Sequence, residues 1–288
     1  MTETKDEPKR GEAVQDLFSR HEEHALVVRR TATPISLQKS GRQARRAYAA
    51  WGAAMGLLGA EGLSVWVSPA VGLSLHAALL LAFLIRAYFS AGPKRHLQLA
   101  LAVVPLTRLL PMTLPAFDMD ASLRLFASYG LLLFSVLTAS ALLGYRLLGA
   151  LRLRQLPYLV LGLGLGAALG GALFFVLRPA AESFGASGVT LAASSLVFAG
   201  FTEELLFRGL LLFAAARVLG VGQGLVFSAV LYAGFHLGWP WLVVGSLLVV
   251  GLLLGWLVIK SRSLLGAMLA HGALNVTLFI ILPSLAAS

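Results

Sequence analysis

Pro157-Tyr-Leu-Val-Leu-Gly-Leu-Gly-Leu-Gly-Ala-Ala-Leu-Gly-Gly-Ala-Leu-Phe-Phe-Val-Leu177 runs for about six helical turns without a charged side chain. A stretch of that length crosses a ~30 Å hydrocarbon core as a helix, because each backbone N–H and C=O must find its partner inside the segment where water is absent. The short alternating apolar/polar segments of a membrane β-barrel do not occur. Similar stretches recur along the 288 residues, which are 58% hydrophobic and only 12% charged, whereas a soluble domain carries about 25% charged residues. The fold class is therefore all-α, a polytopic membrane bundle of eight or nine helices. Its spans fall near 48–66, 70–89, 96–113, 122–145, 157–177, 188–216, 222–238, 240–259 and 264–284. Glu61 interrupts the first, and Pro105, Arg108 and Pro111 interrupt the third, so either can be interfacial or re-entrant. The Gly162, Gly164, Gly166, Gly170 and Gly171 set in the fifth span reads as a surface for close helix packing.

Three regions follow: a polar cytoplasmic tail at 1–46, amino-terminal membrane helices at 47–156, and a carboxyl-terminal membrane region at 157–288. Thr2 to Glu12 is rich in Lys, Glu and Asp, the composition of a disordered segment, and Gly41 to Arg46 is basic enough to lie against anionic headgroups. No short apolar core of a signal peptide occurs in the tail. The net charge of +10 resides in the tail and short loops, which is a topology signal rather than a nucleic-acid footprint. With the tail inside, inner loops carry Arg86, Lys94, Arg95, Arg146, Arg152, Arg154, Arg217, Lys260 and Arg262. Outer loops carry Asp118, Asp120 and Glu182, with Arg124 and Arg178 as basic exceptions. The expected setting is the inner membrane of a bacterial cell, amino terminus in the cytoplasm, with the bilayer and a membrane-associated peptide or protein as partners. There is no Cys, which excludes disulfides, thiolate metal sites and a cysteine nucleophile.

Ionisable groups within a bilayer are expensive and mark function, and here they gather in the last third. Thr202-Glu203-Glu204-Leu205-Leu206-Phe207-Arg208-Gly209 sets two carboxylates and a guanidinium within two turns. Glu204 and Arg208, four apart, share a face and can pair. Glu203 is rotated by about 100° and is left to face a neighbouring helix as a general base. Tyr232-Ala-Gly-Phe-His236 and His271-Gly-Ala-Leu-Asn275 are further four-apart pairs in later spans. Counted at ~1.5 Å per residue from the basic markers or span starts, Glu203, His236 and Asn275 lie about 20 Å deep, and His271 about one turn nearer the cytoplasm.

Two chemistries fit. In one, His236, His271 and Glu203 or Glu204 bind Zn²⁺, whose water is acidified while Glu203 handles the proton. In the other no metal is needed: Glu203 with His236 activates water, and His271 with Asn275 donates to the oxyanion. An amide is a poor zinc ligand but a good donor. The His-Glu-x-x-His of soluble zinc proteases is absent, and Ser194 and Ser195 lie more than two turns before Glu203 with no Lys or His adjacent in the sequence to suggest a serine dyad.

Glu-Glu-x-x-x-Arg, aromatic-x-x-x-His and His-x-x-x-Asn, in this order on separate late helices, resemble the CPBP family. That family comprises type II CAAX prenyl endopeptidases and the bacteriocin-processing or self-immunity membrane proteins called Abi proteins. The motifs cover roughly 157–283. The resemblance implies an intramembrane endopeptidase with Glu203, His236, His271 and Asn275 catalytic and Glu204 and Arg208 supporting. Tyr232 stands where the family usually has Phe. A family-like protein that binds without cutting, and a proton-coupled transporter relaying through the same groups, are the competing classes. Glu61, His76, His96 and Arg108 share no spacing and are read as interhelical bonds, snorkelling groups or marks of a displaced span boundary, outside the site.

Overall fold

The structure is a computed structural model that describes residues 40–114, 121–147, 152–179 and 186–287. The expectations for the tail before Ser40, and for the loop acids Asp118, Asp120 and Glu182, lie outside those residues. The chain divides into two units, Met1–Ala44 and Arg45–Ser288. Of the first, only the start of a helix is described; the second holds every other described residue. The boundary expected at 156/157 is one of motif content, since both sides of it belong to this same compact unit.

The helices are α1 (Ser40–Trp66), α2 (Pro69–Tyr88), α3 (Gly92–Val103), α4 (Leu106–Thr113), α5 (Ala121–Leu142) and, after a single 3₁₀ turn, α6 (Leu156–Leu177). Then come α7 (Ala186–Glu204), a π-helical stretch (Leu205–Leu211), α8 (Leu212–Leu219), α9 (Val221–Gly234) and α10 (Trp241–Ser261). The chain ends with α11 (Leu265–Val276), a second π-helical stretch (Thr277–Ile281) and α12 (Leu282–Ala287). No strand occurs among the described residues. Among the described residues, five helical segments are long and apolar enough to cross a membrane: Pro69–Tyr88, Leu123–Leu142, Leu153–Leu177, Trp241–Ser261 and Leu265–Ala287. The molecule is a helical membrane bundle, as its composition requires.

Three elements depart from the span boundaries read in the sequence. α1 begins at Ser40, inside the stretch taken as polar tail, because Gln43 to Arg46 are good helix formers that run straight into an Ala-rich segment. The third span is two short helices, α3 and α4, broken at Pro105. That residue has no N–H to give and its ring clashes with the preceding turn. At ~1.5 Å per residue, α3 is about 18 Å long and α4 about 12 Å, so neither crosses the core alone. The sixth span widens into a π-helix midway, for which no residue pattern in the sequence gives a signal. It ends at Gly220, whose φ of 88° lets the chain reverse directly into α9.

The tightest helix pairing is between α6 and α11, and it is made by glycine. A Cβ on Gly162 would collide with the Gly266 carbonyl, one on Gly166 with the Ala270 carbonyl, and one on Gly170 would fall 2.6 Å from the Leu274 carbonyl. The four-residue spacing puts these three glycines in one stripe against the backbone of α11. Gly164 and Gly171 have nothing within 4 Å and point elsewhere. Close backbone contact gives the van der Waals gain that holds helices together where lipid removes the hydrophobic drive. Gly166→Val is accordingly expected to cost about 1–3 kcal/mol by overpacking, seen as a lowered melting temperature in detergent, while Gly164→Val leaves it unchanged. Equal behaviour of the two variants would refute this seating of α6.

Candidate active site

Glu203 and Glu204 close α7 immediately before the π-helical stretch. π-Helical turns displace the regular i→i−4 ladder and often occur at functional sites. Here a neighbouring side chain takes up a carbonyl of the widened turn: the Ser228 hydroxyl on α9 donates to the Phe207 carbonyl at 2.6 Å. The two glutamates diverge as their rotation predicts. Glu204 is 0% exposed and Arg208 1%, with Arg208 Nη1 donating to Glu204 Oε1 at 2.8 Å. The Arg208 guanidinium also lies over the Tyr232 ring, 4.2 Å from its centroid, a cation–π contact made stronger by burial.

His271 on α11 shares the same oxygen. Its Nδ1 is 2.8 Å from Glu204 Oε1, and a carboxylate paired with Arg can only accept, so Nδ1 carries the proton. Nε2 is then turned toward Glu203, 3.9 Å from Oε2. Asn275, one turn on, donates from Nδ2 to the Leu196 carbonyl at 3.1 Å and so ties α11 to α7. Gly200 makes room for both: a Cβ there would meet His271 Cγ at 3.1 Å and Asn275 Nδ2 at 3.4 Å.

His236 does not share a helical face with Tyr232, as its spacing suggested. α9 ends at Gly234, and His236 stands in the turn beyond it. Glycines at 234 and 238 and proline at 240 weaken any continuation of the helix. The four-residue relation survives in another form, since His236 Nδ1 donates to the Tyr232 carbonyl at 2.9 Å. Nε2 is the nitrogen left over. The Tyr232 ring stands edge-on to Phe207 and His271, and its centroid is 5.2 Å from that of His236. It is the common wall against which both histidines rest.

Glu203 is 16% exposed, and its Oε1 accepts from the Tyr129 hydroxyl of α5 at 2.8 Å. Glu203, His236, His271 and Asn275 all line one cavity of about 300 Å³. Its other walls are largely apolar, including Leu125, Leu173, Leu247 and Phe279. All four residues singled out in the sequence therefore converge, and Glu204 and Arg208 sit behind them. Tyr129 joins them unannounced, because a tyrosine inside an apolar span carries no signal of its own. Arg108, expected outside the site, also lines this cavity. Glu61 and Arg108 do bond between helices, as their placement suggested, and His76 Nε2 approaches the same carboxylate at 3.5 Å. His96 bonds between helices too, with its Nδ1 3.0 Å from Arg217 Nη1 and 2.9 Å from the Tyr145 hydroxyl.

Among the described residues no three His, Asp or Glu side chains come together as a metal-holding group. Glu204 faces His271 Nδ1 and Arg208.

Comparison with known families matches residues 185–277 to the type II CAAX prenyl endopeptidase Rce1-like family. The match covers about a third of the chain and holds every motif residue from Glu203 to Asn275. It is narrower than the 157–283 spanned by the motifs and their helices, and leaves α6 outside. Neither curated proteins nor solved structures give a match. Removing one partner from a buried ion pair strands the other, so Arg208→Ala is expected to cost about 3–5 kcal/mol. Arg208→Lys keeps the charge but loses the planar stack on Tyr232, and should cost less. Thermal unfolding in detergent orders the three proteins.

Proposed function

We propose that this membrane protein, whose residues 185–277 carry an Rce1-like domain, is an intramembrane endopeptidase that hydrolyses a peptide bond with a water activated by Glu203 and His236. One observation carries the reading: four polar side chains from α7, α11 and the turn after α9 line a single cavity with otherwise largely apolar walls. Glu203 takes a proton from water while His236 Nε2, left open by the bond to the Tyr232 carbonyl, accepts from the same water. The hydroxide adds to the scissile carbonyl carbon. Asn275 has a second amide hydrogen beyond the one given to Leu196, and donates it to the oxyanion; His271 joins it when its Nε2 is protonated. The proton held by Glu203 then passes to the departing amine as the C–N bond breaks.

Tyr129, through its bond to Glu203, and the Glu204–Arg208 pair, through His271, hold this set in place without touching the substrate. The substrate is a membrane-associated peptide or protein, its apolar part against the leucine-rich walls and its scissile bond at the polar end. Prenylated carboxyl-terminal peptides and bacteriocin leaders both fit that description. The loop charges favour an amino terminus on the cytoplasmic side, in the inner membrane of a bacterial cell.

The test compares the peptides in membranes holding wild type, Glu203→Ala and His236→Ala at equal expression. Each variant is expected to lower the products by about 10²–10⁴-fold, the range for a lost general base. Identical peptide sets would sink the proteolytic reading and favour a binding role. A metal-independent mechanism further requires that a chelator leave wild-type hydrolysis intact; loss on chelation and return with Zn²⁺ would reverse that part.

A further inference from the structure

Among the cavity-lining side chains that helices outside the matched domain supply is a cation, Arg108. Arg108 on α4 is bound on both sides of the Glu61 carboxylate of α1: Nε donates to Oε1 at 2.9 Å and Oε2 at 2.8 Å, and Nη2 to Oε1 at 2.6 Å. Glu61 is 1% exposed and is backed by His76 of α2, whose Nε2 is 3.5 Å from Oε2. The same Nη2 donates to the carbonyl of Phe235, the residue immediately before His236. Both Arg108 and His76 also contact the Phe235 ring, at 5.7 and 5.6 Å from its centroid. Phe235 lies at the C-terminus of α9, where carbonyls lack helical partners and a positive charge is favoured.

We propose that Arg108, gripped by Glu61, is a positioning residue for His236: it caps the end of α9 and fixes the turn from which His236 reaches the cavity. This rests on the proteolytic reading for its consequence, though not for its geometry. A carboxylate and an imidazole this deeply buried cost desolvation that only a fixed arrangement offsets. The turn itself is short, with the His236 N–H returning to the Ala233 carbonyl at 2.9 Å and the Trp239 N–H to the His236 carbonyl at 2.9 Å. Arg108 thus couples the amino-terminal helices to the turn that carries His236.

The experiment has two readouts. Arg108→Gln alone leaves the Glu61 carboxylate uncovered, so the principal variant is Glu61→Gln/Arg108→Gln, which removes both charges together. In hydrogen–deuterium exchange, the amides of 235–239 are expected to exchange at least about tenfold faster than in wild type, with α10 and α11 unchanged. Unchanged exchange in that turn overturns the clamp whatever the protein's activity. For peptides whose cleavage is lost in Glu203→Ala, kcat should fall about 10- to 100-fold with KM held, the loss that a ~1 Å misplacement brings. Added to His236→Ala, the same double change should cause no further loss, because a group acting through His236 has nothing left to act on. An undiminished further loss, or a rise in KM alone, overturns the positioning role. Hydrolysis that survives Glu203→Ala counts against the protease reading and leaves the exchange result to judge the clamp.

Discussion

A carboxylate with no exposed surface must keep every partner it has, and Glu204 is such a carboxylate. Its Oε1 receives Arg208 and His271 together, and the Arg208 guanidinium is held in turn by the Tyr232 ring. Three segments are thereby locked in relative rotation: the end of α7 with its π-helical continuation, α9 and α11. Desolvation makes the pair a poor source of net stability, so its value is geometric. It fixes which nitrogen of His271 is turned outward and where the Tyr232 ring stands, and both histidines follow from that.

The bundle was legible because its solvent writes directly into the sequence: apolar runs of span length can be recognised residue by residue. The same holds for most of the side chains that meet in the cavity. Glu203, Glu204 and Arg208 declared their division by rotation, and His271 and Asn275 by a four-residue spacing on what is indeed one helix. His236 reaches the cavity from a setting its spacing did not suggest, since Gly234 ends α9 before it. What stayed hidden were contacts between distant segments of the chain. Nothing in the run around Tyr129 points to Glu203, 74 positions away, and Arg108 and Glu61 are 47 apart with no common period. The π-helical stretches were equally invisible, because no propensity distinguishes them from the α-helix they interrupt.

Those two stretches share a feature of placement. One begins directly after Glu204 and the other two residues after Asn275. Each follows the polar groups that its helix brings to the cavity, and Phe207, Leu278 and Phe279 line the cavity from within the wider turns themselves. Ser228 accepts the consequence on one side by bonding to the Phe207 carbonyl. The register of Glu203, His271 and Asn275 is thus set in regular α-helix, and the apolar wall beyond them in the wider turns.

The glycine stripe on α6 constrains more than packing. α6 lies outside the matched family domain, yet its backbone is pressed against the very carbonyls of α11 that precede and follow His271. Selection at 162, 166 and 170 acts on volume alone: no chemistry is asked of these positions, only the lack of a side chain. Such a helix can drift freely over the rest of its circumference, toward any apolar residue lipid will tolerate. Two diverged homologues would then differ almost everywhere along α6 and still share one narrow seam, recognisable by its four-residue cadence instead of by overall identity.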